Sequence, residues 1–123
     1  MLCCVWFRYL VIKCRNVKQS MVFMIKVAAA IILNKGKVLI AKRPSHERLG
    51  GKWEFPGGKI ESGETHGECL VRELREEFNV AITVGDFFDE VTHEYDFATI
   101  NIVFYFAGIS AGDIRSTSHD EHR

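Results

Sequence analysis

"WEFPGGKIESGETHGECLVRELREEF", residues 53–78, decides how the rest of the chain is read. It passes from an aromatic-proline turn through Gly57, Gly58, Gly63 and Gly67 into a segment carrying Glu64, Glu68, Glu73, Glu76 and Glu77. At about 100° per residue, Leu70, Val71, Leu74 and Phe78 fall on one apolar arc, which predicts a helix over residues 65–78. Glu73, Glu76 and Glu77 stand at i, i+3 and i+4, so they project from one side of that helix, next to the arc. Like charges at these spacings destabilise an isolated helix by a few tenths of a kcal/mol per pair, roughly.

Two readings of the carboxylates follow. In one, the face is solvated and Glu68 and Arg72, at i and i+4, form its only helpful pair. In the other, a divalent cation neutralises the three glutamates. Mg²⁺ takes oxygen ligands and commonly bridges carboxylates to substrate phosphates. The preceding loop favours the cation. Gly58 and Gly63 have the spacing of a phosphate-binding P-loop, but Glu64-Thr65 stands where Lys-Ser/Thr would be required. With a carboxylate in place of the lysine, the chemistry of this loop must pass through a metal.

Working outward, apolar runs at residues 27–33 and 38–41 flank Asn34-Lys35-Gly36, which predicts a hairpin. The first run is too continuous for a half-exposed strand and should be buried on both faces. "PSHERLGGK", residues 44–52, is a loop broken by Pro44 and Gly50-Gly51. After the helix, "VAITVGDFFDEVTHEY" and "ATINIVFYFAG" alternate like antiparallel strands, with Phe104-Tyr105-Phe106 as strand core and interface. The tail "DIRSTSHDEHR" is polar and without period. The expected fold is a strand-rich α+β or mixed α/β domain with at least one helix.

A chain of 123 residues is one domain. A formal net charge of zero supplies no long-range field for nucleic acid or an anionic membrane, so neither partner is expected. Charge is nevertheless segregated: Lys35, Lys37, Lys42, Arg43, Arg48 and Lys52 precede the acidic stretch, as suits a site holding both phosphates and metal ions. Cys3, Cys4, Cys14 and Cys69 form no C-x-x-C pair, so no zinc or dithiol motif is present, and Cys69 reads as a small apolar side chain. His46, His66, His93, His119 and His122 read as solvated or hydrogen-bonded rings. Residues 1–23 are apolar but interrupted by Arg8, Lys13 and Arg15, too short and too broken to span a bilayer. They are expected to be an extension outside the fold, with Met21 or Met24 as the start and the domain over residues 24–123. A membrane-surface anchor or an added strand is the other reading.

Gly58, five residues, Glu64, seven residues and then "RELREEFNV" resemble the Nudix box, with eight of its nine specified positions in agreement. Asn79 replaces the box glycine that ends the helix in a left-handed turn, and asparagine is the next residue best able to adopt that conformation. "WEFPGGKIESGE" is further similar to the MutT-like branch, and the likeness covers residues 24–108. The resemblance implies a mixed β-sheet with the glutamate helix packed on it, and Glu73, Glu76 and Glu77 as metal ligands with the Gly57 carbonyl, Arg72 orienting the glutamates, and Glu64 supporting the loop. It implies Mg²⁺ (or Mn²⁺) as cofactor and a nucleoside triphosphate, such as 8-oxo-dGTP, cut to monophosphate and pyrophosphate in the cytoplasm by a monomer or homodimer. Arg43, Lys59 and Gly58 would meet phosphate, and Phe55 a base. ADP-ribose or a nucleotide sugar as substrate, or an inactive binding module, are the alternatives. The family pattern continues past a segment like "HDEHR" into a tryptophan-bearing strand and a closing helix, so the domain is expected to be incomplete. Asp120 or Glu121 would supply any further carboxylate.

Overall fold

The computed structural model describes residues 23–115 and 121–123. In chain order the elements are β1 (Met24–Asn34), β2 (Lys37–Val38), β3 (Ala41–Lys42), β4 (Trp53–Glu54), β5 (Gly57–Lys59), α1 (His66–Phe78), β6 (Ala81–Tyr95), β7 (Ala98–Ala111) and β8 (Glu121–His122). The main sheet runs β2-β1-β7-β6, with β5 also on β1; β1 and β7 are parallel, and the other pairs are antiparallel. A mixed sheet carrying one helix is the expected α+β class.

The predicted hairpin is present. Leu33 pairs with Val38 and Asn34 with Lys37, and the two-residue turn uses Lys35 and Gly36, both at positive φ. β1 is buried from Val27 to Ile32, as a central strand with side chains on two apolar clusters must be. Ala28, Ala30 and Ile32 face α1 together with Leu70, Leu74, Phe78, Val80 and Val103. Val27, Ala29 and Ile31 face the other way, with Ile100, Ile102 and Phe104.

Two local expectations are corrected. Val71 is 40% exposed, because the buried rows of α1 are Leu70, Leu74 and Phe78 on one side and Cys69, Glu73 and Glu77 on the other. The helix is thus rolled toward β5, and its glutamate edge goes inside with the apolar one. The end of the polar tail is not wholly irregular either: β8 pairs with β3, Ala41 against His122 and Lys42 against Glu121, in a small sheet ordered β4-β3-β8. Residues 1–22 and Asp120, with Cys3, Cys4, Cys14 and His119, lie outside the described residues, as does the side chain of Glu121.

Candidate active site

The site is built where β5 meets α1. β5 lies antiparallel on β1, with Gly57 opposite Ala29 and Gly58 opposite Ala28. A Cβ at Gly57 would strike the Ala28 carbonyl, and Gly57 has φ 154, so this crossing is open to glycine alone. A Cβ at Gly58 would run into the Glu73 carboxylate. The glycine pair therefore lets a helix carboxylate approach a strand backbone at a distance no other residue allows.

The two ends of α1 are fixed by local chemistry. Thr65 is the N-cap: its hydroxyl accepts from the Glu68 amide at 3.2 Å, while Glu68 Oε2 accepts from the Thr65 amide at 2.8 Å. Glu68 is thereby committed to the cap and not to Arg72, contrary to the i, i+4 pairing expected. Its carboxyl is held below the usual range, first by the Thr65 backbone bond. The signal for this box is the spacing Thr65-x-x-Glu68, whose glutamate is the acid immediately before the Glu73, Glu76 and Glu77 ladder. At the other end Asn79 adopts φ 57, ψ 35, the left-handed cap expected of it, and its amide donates to the Arg75 carbonyl at 3.2 Å.

Between these ends a single guanidinium organises four acceptors. Arg72 Nε donates to Glu64 Oε1 at 2.7 Å and Nη2 to Glu64 Oε2 at 3.0 Å, a bidentate pair. Nη1 donates to Glu73 Oε1 at 2.7 Å and lies 3.6 Å from Glu76 Oε2, while Nη2 also reaches the Lys59 carbonyl at 3.2 Å. Glu64 in turn accepts the Glu61 amide at 2.9 Å, tying the loop to itself. The Arg72 bond holds the Glu64 carboxyl below its ordinary range, and the same bond raises the guanidinium's own value. Glu73 moves the other way: burial pushes its carboxyl up, and Arg72 only partly opposes this.

Cys69 adds a support that composition did not signal. Its thiol is fully buried and donates to the Gly58 and Lys59 carbonyls, both at 3.5 Å. Burial pushes the thiol up to about 12, so it stays protonated as a donor.

Other expected site residues are placed elsewhere. Arg43 is 1% exposed, with Nη1 on Glu54 Oε2 at 3.3 Å and Nη2 on Glu47 Oε2 at 3.0 Å, so carboxylates hold the donors expected to meet phosphate. Glu54 is the buried partner the sequence reading missed. Phe55 packs edge-on against Phe104 at 5.9 Å, in the cluster on the sheet face away from α1. Lys59 is exposed at the end of β5. His66 bonds the Tyr105 hydroxyl at 3.0 Å, tying the start of α1 to β7.

Among the described residues, no three His, Cys, Asp or Glu side chains converge closely enough to cage an ion, and Arg72 supplies positive charge at this edge. The donor set nonetheless suits a hard cation. Glu73 and Glu77 are buried, Glu76 beside them is exposed, and no described residue donates a hydrogen bond to Glu73 Oε2. An ionised carboxylate oxygen buried in that way is costly unless a proton or a cation meets it.

A family model of the NUDIX domain matches residues 23–123. The chain belongs to the Nudix family. Among its Nudix relatives, the CTP pyrophosphohydrolase of Escherichia coli (strain K12) is 52% identical over 64 residues, covering 52% of this chain and 47% of that protein. The 8-oxo-dGTP diphosphatase of Proteus vulgaris is 41% identical over 80 residues, covering 64% and 71%. The alignment thus spans about half the length of the first relative. The solution structure of the Escherichia coli ORF135 protein superposes with a TM-score of 0.71 at 36% identity, over 83% of this chain and 73% of that one. The MutT protein from Methanosarcina mazei Go1 gives 0.77 at 27% identity, over 85% and 78%. These matches make the domain a MutT-like Nudix fold. No helix among the described residues is long and apolar enough to cross a membrane.

Proposed function

We propose that this chain is a divalent-metal-dependent Nudix hydrolase that cuts a nucleoside triphosphate to the monophosphate and pyrophosphate. The observation that carries the reading is the Glu73 carboxylate pressed on the Gly58 backbone, with Oε2 buried and no described residue donating to it, on the helix edge that also bears Glu76 and Glu77. The names of the triphosphate-cleaving relatives support it.

In this reading Glu73, Glu76 and Glu77, with the Gly57 carbonyl, hold the cation. Bound Mg²⁺ would offset phosphate charge and make water a nucleophile near neutral pH. Arg72 fixes Glu73 through Nη1 and is itself fixed by the two bonds to Glu64, so the carboxylate needs little reorganisation when substrate arrives. Water attacks a phosphoanhydride phosphorus, the bridging P–O bond breaks toward the pyrophosphate, and a glutamate oxygen takes the proton. Lys59, exposed beside the loop, meets phosphate.

The test is product release, with and without Mg²⁺, from 8-oxo-dGTP, CTP, the common triphosphates and ADP-ribose. Magnesium-dependent monophosphate and pyrophosphate from one triphosphate supports the proposal. Release from ADP-ribose alone moves the substrate class, and nucleotide binding without turnover makes the chain a binding module.

A further inference from the structure

A groove of about 460 Å³ runs between α1 and β6, with Gly67, Val71, Arg75 and Val84 among its walls. Its apolar floor continues along β6. Val84 and Phe87 pair with Ala107 and Tyr105, which pack on the α1 face of the sheet, so both side chains point to that face. The Phe87 ring meets Tyr105 edge-on at 5.8 Å, and Tyr105 bonds His66 beside Gly67. Phe88, in the irregular part of the ladder, goes the other way, onto Phe106 at 5.2 Å. Val71 and Phe87 are 40% and 54% exposed, so Val71, Val84 and Phe87 form an apolar strip open to water, as interaction surfaces do.

Opposite charges stand at the two ends of this strip. Arg75, in the last turn of α1, lies at the Val84 end; it is exposed, and no described residue pairs with its guanidinium. Glu90 lies beyond the Phe87 end. It is exposed too, and its pairing with Val103 puts it on the same face of the sheet. A two-fold axis through the strip exchanges the ends. Each Arg75 then meets the other copy's Glu90, while each Phe87 covers the other copy's Val71. A formal net charge of zero sets no general repulsion between copies. The complement that this strip needs, acid at one end and base at the other, is therefore the strip itself.

We propose that the strip of Val71, Val84 and Phe87 is an isologous interface between two copies of this chain, with Arg75 of each copy on Glu90 of the other. The occupant is a second copy, and the inference does not rest on the proposed activity.

Sedimentation of the full-length chain over a range of concentrations tests this. The wild-type chain is expected to run at twice the mass of one copy and to dissociate on dilution. Arg75→Glu and Glu90→Arg, each alone, should weaken association at least about tenfold, since each sets like charges against one another across the axis. Mixed in equal amounts, the two variants should associate again, because every contact across the axis then joins opposite charges. Phe87→Ser should weaken association without any change of charge. Circular dichroism of each variant separates lost association from lost folding. A wild-type chain monomeric at about 0.1 mM would overturn the proposal and leave the strip to a different protein or a small ligand. A dimer indifferent to all three variants would place the interface elsewhere and overturn it as well. Folded variants that stay apart when mixed would overturn the two-fold pairing of Arg75 with Glu90.

Discussion

Two stretches of this chain are rich in carboxylates, and the fold treats them in opposite ways. Along the loop and α1, Glu64, Glu73 and Glu77 are drawn inside or nearly so, and a single arginine binds Glu64 and Glu73 and neighbours Glu76. Along β6, Asp86, Asp89, Glu90 and Glu94 stand in solvent on an outer strand. Counting acids would rank the two alike. What separates them is desolvation: a carboxylate moved out of water must be met by a donor, a proton or a cation, and only the first stretch makes that demand.

Conservative changes to the two stretches should therefore diverge most in turnover. Glu76→Gln and Glu77→Gln should each cut turnover at least about a hundredfold with the fold intact, measured as pyrophosphate release alongside circular dichroism. Unchanged rates in both variants would remove the proposed metal site. Arg72→Ala should cost about 2 kcal/mol in urea unfolding, since Glu73 loses its donor in a buried setting. Thr65→Ala should cost about 1 kcal/mol through loss of the cap.

Acid titration separates the stretches more gently. The folded-state value of Glu64 lies below its unfolded one, so the unfolded state binds more protons and stability rises with pH. The Glu64 contribution is complete above the unfolded value near 4.5 and is lost as pH falls through the lower folded value. The gap in urea midpoint between the wild-type chain and Glu64→Gln should accordingly be full above the unfolded value of 4.5 and close as pH falls below it, through the lower folded value. The smallest effect is expected at Asp86→Asn, on the interrupted part of β6: stability within about 0.5 kcal/mol and turnover unchanged. A large loss there would end the contrast between the two regions.

Much of the fold was legible because local rules and tertiary packing agree. The Asn34-Lys35-Gly36 turn, the helix after the glycine loop, the left-handed Asn79 and the two long strands each carry a short-range signal that the sheet then uses. What could not be read depends on how the helix rolls. Helical periodicity puts Val71 in the apolar arc, but only contact with β5 decides that Cys69, Glu73 and Glu77 turn inward in its place. Arg43 and Glu54 are eleven residues apart and meet only because β3 pairs with β4. The placement of Phe55 behind the sheet depends likewise on how β4 and β5 meet β1. The glutamate ladder itself was plain in the sequence, whereas its shared guanidinium emerges only when the loop closes on the helix.

The thiol of Cys69 turns this architecture into its own clock. Fully buried, with a value near 12 and both bonds directed at loop carbonyls, it presents almost no thiolate to an alkylating reagent while β5 stays on α1. Its labelling rate, followed peptide by peptide so that Cys3, Cys4 and Cys14 do not interfere, would measure how often the glycine loop lifts from the helix. Slowing of that rate by nucleotide and Mg²⁺ would time the closing of the site without any turnover at all.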